Sequence, residues 1–72
     1  MNITFKLEIK GPSDPKKLYL ATKSFCNDQK IDFSEAKKML TEGTSLSFQS
    51  MEEAFNAADK YSAMGCLTTL LT

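Results

Sequence analysis

The residue types that carry most enzyme chemistry are sparse in this chain of 72 residues. Histidine is absent, so the usual general base near neutral pH and the commonest metal ligand are both missing. Cys26 and Cys66 are the only cysteines, and two thiolates without histidine do not complete a structural zinc site. A nucleophilic cysteine would need an activating base, and the cation nearest to Cys26 in the sequence is Lys23. We therefore expect no catalytic activity, no cofactor and no metal, with both cysteines acting as small, largely buried apolar residues.

The carboxylates are better explained by helix starts and solvated loops than by acid–base chemistry. Glu52 and Glu53 open a predicted helix, where the positive end of the helix dipole favours negative charge. Asp28 and Asp32 flank a predicted loop, but a calcium loop needs more carboxylates and a glycine at a set spacing. The three glycines of the chain form no glycine-rich loop that would hold a phosphate.

The net charge is zero, but the charges are unevenly placed along the chain. Residues 1–40 have a net charge of +3 and residues 41–72 a net charge of −3. Six lysines fall on the first two predicted helices: Lys16, Lys17, Lys23, Lys30, Lys37 and Lys38. A solvated surface, an acidic protein partner and nucleic acid are the three explanations for such a cluster. Zero net charge and the lack of arginine argue against nucleic acid.

Alternating apolar residues predict three strands. The first covers residues 2–10 and directs its apolar side chains inward: Ile3, Phe5, Leu7 and Ile9. The second covers residues 44–48, with Leu46 and Phe48 facing the core. The third covers residues 66–71, and if Cys66, Thr68 and Leu70 face inward, Leu67 and Leu71 lie on the open face of the sheet. Two exposed leucines there favour association through the sheet, including formation of a homodimer.

Helical spacing predicts three helices between these strands. The first has Asp14 as its N-cap and ends at Asn27 and Asp28, with an apolar stripe of Leu18, Ala21, Thr22 and Phe25. The second begins with a capping box formed by Asp32 and Glu35 and ends at Gly43, with an apolar face of Phe33, Ala36, Met39 and Leu40. The third begins with a capping box formed by Ser50 and Glu53 and ends at Gly65, with Met51, Ala54, Phe55, Ala58 and Tyr61 or Ser62 directed inward. Five phenylalanines are thereby assigned to the core, and Tyr19 is the one ring expected at the surface.

The order of elements predicts an α+β fold, a two-layer sandwich in which a three-stranded antiparallel sheet carries three helices on one face. The length suits a single compact domain over residues 1–72. We expect the first and last strands to pair antiparallel, with the short middle strand at an edge. No apolar run is long enough to span a bilayer, and the N-terminal residues lack the apolar stretch of a signal peptide. We therefore expect a cytoplasmic protein that has no contact with membranes.

Two segments resemble the C-terminal domain of the bacterial ribosomal stalk protein, which recruits translational GTPases. Residues 33–40, F-S-E-A-K-K-M-L, are similar to an L-K-E-A-K-D-L-V stretch of that family. Residues 50–65 resemble the last helix of that family, which ends in an A-G-A turn, and the N-degron adaptor of the Clp protease has a similar topology. The resemblance implies a binding face on the first two helices, formed by Tyr19, Thr22, Lys23, Cys26 and Lys37. Because the dimerisation domain of the stalk has no counterpart in this sequence, we expect a separate accessory module.

Leu20 points away from the predicted core and lies between lysines. With Tyr19 and Lys23 it would form a small patch that is both apolar and basic, as protein-docking surfaces often are. We therefore predict a non-catalytic module that docks on another protein and modulates it, in the manner of an inhibitor. The arginine-free composition suits an AT-rich genome, and hence a phage-encoded or accessory regulator. The alternative is a nucleic-acid-binding protein that uses the lysine cluster.

Overall fold

Six elements follow one another in the computed structural model, which describes residues 4–71. The three strands are β1 (Phe5–Lys10), β2 (Thr44–Phe48) and β3 (Leu67–Leu71). The three helices are α1 (Pro15–Gln29), α2 (Phe33–Glu42) and α3 (Met51–Ala63). The predicted order, strand–helix–helix–strand–helix–strand, is confirmed. The inward position predicted for Ile3 lies outside the described residues.

The sheet has the strand order β2–β1–β3, and both pairs are antiparallel. Leu7, in the central strand, lies opposite Leu46 on one side and Leu70 on the other. The predicted pairing of the first and last strands and the edge position of the middle strand are therefore confirmed. Because side chains alternate along a strand, this register collects the apolar residues of β1 and β2 on one face together with Leu70 of β3.

The helices cover that apolar face, while the opposite face of the sheet is exposed. In β1, Leu7 and Ile9 are buried, whereas Lys6, Glu8 and Lys10 are exposed. The fully buried side chains from the helices are Ala21, Thr22, Phe25, Ala36, Leu40, Ala54 and Tyr61. The Phe25 and Tyr61 rings meet edge to face at 6.0 Å, which joins α1 to α3 at the centre of the core. Cys66 is also buried, whereas Cys26 is half-buried.

Two of the three predicted helix starts form with side-chain caps. The Asp14 carboxylate accepts a hydrogen bond from the Lys16 N–H at 3.0 Å. The Ser50 hydroxyl accepts one from the Glu53 N–H at 3.5 Å. Asp32 occupies the N-cap position of α2, but its side chain makes no capping hydrogen bond, so the predicted capping box there does not form.

The predicted end of α1 at Asn27 and Asp28 is wrong, because the helix continues to Gln29. Lys30 ends it in the left-handed conformation, with φ 56° and ψ 48°, and donates its N–H to the Cys26 carbonyl. Aspartate commonly interrupts a helix by bonding to the nearby backbone. The Asp28 side chain is bound instead by α3, so it does not compete with the helix.

Two of the five phenylalanines assigned to the core are exposed, which corrects the prediction. Phe55 is 53% exposed and Phe33 is 38% exposed. In α3, the buried positions Ala54 and Tyr61 lie two turns apart, and Phe55 is turned about 100° from Ala54 around the helix. In α2, Ala36 and Leu40 are buried, while Phe33 begins the helix and faces α1. Both rings therefore lie at the borders of the buried stripes, where the sheet does not cover them.

Candidate functional site

The first two helices pack side by side and leave an open groove of about 250 Å³ between them. The residues that line this α1–α2 groove are Ser13, Pro15, Leu18, Tyr19, Thr22, Phe33 and Lys37. The Tyr19 and Phe33 rings contact each other across the groove, with centroids 5.5 Å apart and planes tilted by 48°. Tyr19 is 55% exposed. The groove therefore presents two aromatic side chains that are only partly covered by the protein itself.

Helical spacing explains how each wall of the groove is built. In α1, Leu18 and Thr22 are one turn apart and form the floor, with Tyr19 beside them. The Thr22 hydroxyl is fully buried but donates to the Leu18 carbonyl at 2.6 Å, so the floor contains no unsatisfied donor. In α2, Phe33 and Lys37 are one turn apart and form the opposite wall. The groove is thus apolar at its base and basic at its rim.

The structure brings together some of the residues predicted for partner binding and separates others. Tyr19 and Lys37 line the groove. Lys23 and Cys26 lie outside the lining, but they follow Tyr19 by one and two turns along the same side of α1. Leu20 is 58% exposed, as predicted. It is turned about 100° from Tyr19 around the helix and does not line the groove.

Ser13, Pro15, Leu18 and Phe33 line the groove but were not predicted as site residues, and Phe33 is the one with an exposed aromatic ring. Its spacing from Ala36 and Leu40 fits an apolar core stripe, and so we assigned it to the core. The available signal was Lys37, one turn after Phe33, because a lysine at that position indicates that the same side of the helix reaches solvent.

The lysines of the first two helices and of the loop between them form no ion pair within residues 4–71. Lys60 and Asp28 form the only ion pair within residues 4–71. None of the six lysines, which are Lys16, Lys17, Lys23, Lys30, Lys37 and Lys38, is therefore paired with a carboxylate in this part of the chain. Their positive charge is available to a partner.

A cluster of hydrogen-bonded polar side chains joins α1 to α3. The Asp28 carboxylate accepts hydrogen bonds from the Tyr61 hydroxyl at 2.7 Å and from the Lys60 ammonium at 2.6 Å. Burial raises the pKa of the Tyr61 phenol, and its bond to the Asp28 carboxylate raises this pKa further. Burial alone would also raise the pKa of Asp28, but the hydrogen bonds from Lys60 and Tyr61 outweigh it, so that pKa is lowered. These shifts fit a hydrogen-bonded cluster of Asp28, Lys60 and Tyr61 that holds α1 and α3 together.

The shifts at Tyr61 and Asp28 predict two opposite losses of stability with pH. Above about pH 10 the unfolded chain releases the tyrosine proton while the folded chain keeps it, so the free energy of unfolding falls as pH rises. Below about pH 4 the unfolded chain takes up the aspartate proton first, so the free energy of unfolding falls as pH drops. Tyr61→Phe should lower the free energy of unfolding by about 1 kcal/mol at neutral pH. The same substitution should reduce the alkaline loss, which is the decrease in this free energy above about pH 10.

Urea unfolding measured across the pH range tests this prediction. Tyr19→Phe is the matched control, because it makes the same chemical change in the other tyrosine and leaves the hydrogen bond between Tyr61 and Asp28 in place. If the free energy of unfolding falls equally at alkaline pH in the Tyr61→Phe and unmodified proteins, the role assigned to the Tyr61–Asp28 hydrogen bond is contradicted.

The outer face of the sheet is the second exposed surface. Leu67 is 73% exposed and Leu71 is 44% exposed, so both leucines lie where the alternation of β3 predicts them. On β1 they lie opposite Lys10 and Lys6, respectively. No helix covers this side of the sheet within the described residues.

Within residues 4–71, no group of three histidine, cysteine, aspartate or glutamate side chains could hold a metal ion. Burial raises the pKa of the Cys66 thiol, which keeps it in the poorly nucleophilic protonated form. None of the helices in the same range has the length and apolar character that crossing a membrane requires.

Comparison with known proteins finds no matching family, no matching curated protein and no matching solved structure. The chemistry of its own surfaces is therefore the basis for assigning a function to this chain.

Proposed function

We propose that this chain is a non-catalytic module that binds a protein partner in the α1–α2 groove. The observation that carries the proposal is the pair of rings, Tyr19 and Phe33, that meet at 5.5 Å and remain partly exposed. Partly exposed aromatic side chains beside a concave surface are typical anchors of protein interfaces, because a partner gains by completing their burial. An inserted aliphatic or aromatic side chain would contact both rings and the Leu18 side chain below them.

The positive charge near the groove indicates which charge the partner segment carries. Lys37 lines the groove, and Lys23 follows Tyr19 by one turn on the same side of α1. Neither forms an ion pair within residues 4–71. A partner segment with Asp or Glu next to its apolar anchor would complement these lysines and would be drawn to the groove by charge.

The resemblance of the first two helices to the factor-binding face of the stalk domain supports the same location. Tyr19, Lys23 and Lys37 are positions that this resemblance implies for binding, and the groove joins two of them. A module without catalytic groups acts on its partner by occupying a surface. We therefore propose that binding modulates the partner, and inhibits it where the covered segment is needed for activity.

Selection of binders from a random peptide library tests the chemistry of the groove directly, because the library offers every combination of apolar anchor and charge. The selected peptides should share an aliphatic or aromatic residue beside Asp or Glu. Calorimetry with one selected peptide should show binding to the unmodified protein. Tyr19→Ser and Lys37→Glu should each weaken it by about tenfold or more. Leu20→Ser is the matched control, since it removes an equally exposed apolar side chain of the same helix outside the groove.

Equal binding of the peptide to the Tyr19→Ser and unmodified proteins would contradict the proposal. Loss of binding in the Leu20→Ser protein alone would move the contact to the outer side of α1. The lysine cluster is tested separately with duplex DNA and single-stranded RNA in gel shifts at low and raised salt. Salt-sensitive binding that is lost on Lys37→Glu, with no peptide selected, would favour the nucleic-acid alternative.

A further inference from the structure

The free edge of β3 is the feature that the proposed function leaves unused. In the sheet order β2–β1–β3, β3 pairs only with β1 among residues 4–71, so its other side lies at an edge. Proteins usually protect such an edge with a charged side chain, a proline or a bulge. β3 has the sequence Leu-Thr-Thr-Leu-Leu and carries no charge and no proline. Its register with β1 is continuous from Leu67 to Leu71, with no bulge.

The outward side chains of β3 are symmetric about the centre of the strand. Leu67, Thr69 and Leu71 are its exposed residues, with Thr69 in the middle. If two antiparallel copies of β3 pair with Thr69 opposite Thr69, each Leu67 lies opposite Leu71 of the other copy. Opposed side chains in such a pair have Cβ atoms about 4.5–5.5 Å apart, which brings each leucine pair into contact. The two-fold axis thus brings the four exposed leucines of the two copies into two contacting pairs.

The other edge of the sheet, β2, is equally free of charge, proline and bulge, but it exposes no large apolar side chain on the outer face. β2 exposes Ser45 and Ser47 on the outer face, and pairing two copies of β2 would oppose serines and bury no apolar side chain there. The charged residues of the outer face, Lys6, Glu8 and Lys10, are all on β1, one strand away from the β3 edge. Pairing through β3 therefore brings no charged side chain directly opposite another.

We propose that two copies of this chain pair through β3 to form a continuous six-stranded antiparallel sheet. The order of strands is β2–β1–β3–β3–β1–β2, and Thr69 lies on the two-fold axis. This contact is closed, because each copy uses the same strand and leaves no second β3 edge for further growth. The helices of both copies lie on the same side of the extended sheet, so both α1–α2 grooves remain open.

Sedimentation equilibrium over a wide range of concentration tests the pairing. The unmodified protein should show a monomer–dimer equilibrium. Thr69→Lys should weaken the dimer about five- to tenfold, because it places two ammonium groups opposite each other on the axis. Thr69→Glu should weaken it at least as much, because each new carboxylate also lies opposite Glu8 of its own copy. An equimolar mixture of the T69K and T69E proteins should regain association as heterodimers. Ser47→Lys is the matched control on the β2 edge and should leave the dimer unchanged.

Oxidative cross-linking provides a second measurement that reports the register. In a protein with Cys26→Ser and Cys66→Ala, Thr69→Cys should form a disulfide between copies, since opposed Cα atoms about 4.5–5.5 Å apart suit that bond. Ser47→Cys in the same background should cross-link far more slowly. A protein that stays monomeric at all concentrations would overturn the proposal. Equal cross-linking at positions 69 and 47, or a dimer disrupted by S47K rather than T69K, would also overturn it.

Discussion

Phe25→Ala is expected to lower the free energy of unfolding by about 3–5 kcal/mol. The Phe25 side chain is fully buried and its ring meets Tyr61 edge to face, so truncation removes apolar burial and leaves a cavity between α1 and α3. A chain of this length has a small total stability, and this loss should leave much of the protein unfolded at room temperature. Urea unfolding followed by circular dichroism measures the effect.

Phe55→Ala is the matched control for this substitution. Both phenylalanines occupy predicted core stripes, but Phe55 is 53% exposed. Its truncation should cost less than about 1 kcal/mol. Equal losses at the two positions would contradict the packing of α3 against the sheet.

Gly11→Ala is the second substitution for which we expect a large effect, with a loss of about 1–3 kcal/mol. Gly11 follows β1 and donates its N–H to the Leu40 carbonyl at 2.8 Å, which ties the strand to the end of α2. An added Cβ atom would lie 2.7 Å from the Leu18 Cδ1 atom and 3.2 Å from the Leu40 Cβ atom. The half-buried Leu18 side chain can turn aside in part, but Leu40 is fully buried, so the contact with its Cβ atom cannot be relieved by moving Leu40 towards solvent. The midpoint of thermal unfolding should fall by several degrees.

The double substitution Gly11→Ala with Leu18→Ala separates this steric effect from other causes. Removing the Leu18 methyl groups relieves the closer of the two contacts that the new Cβ atom makes. The loss in the double variant should therefore be smaller than the sum of the two single losses. Strictly additive losses would show that the proposed close approach does not limit the site.

The strands could be predicted from the sequence more fully than the helix borders. Alternation is a strong signal where one face of a strand is buried and the other exposed, as it is for Leu7 and Glu8 in β1. The bounds of β2 and the outward positions of Leu67 and Leu71 followed from it. The end of α1 could not be predicted in this way. Asp28 is bound by Tyr61 and Lys60, which are distant in the sequence and contact it only in the folded chain.

The candidate site could be predicted only in part, for a related reason. The exposed position of Tyr19 follows from helical spacing within α1 alone. The exposure of Phe33 depends on how closely α2 approaches the sheet and α1, and local spacing does not report that distance. The sequence therefore favoured a face on the first two helices without Phe33, whereas the structure has a groove between these helices in which Phe33 forms part of one wall.

Chemical-shift mapping of the isotope-labelled protein with a selected acidic peptide tests the proposed binding surface most directly. We predict the largest backbone and side-chain shifts at Tyr19, Phe33 and Lys37, with little change along the outer face of the sheet. Shifts concentrated on Leu67 to Leu71, or absent from both helices at saturating peptide, would contradict the α1–α2 groove as the site of partner binding.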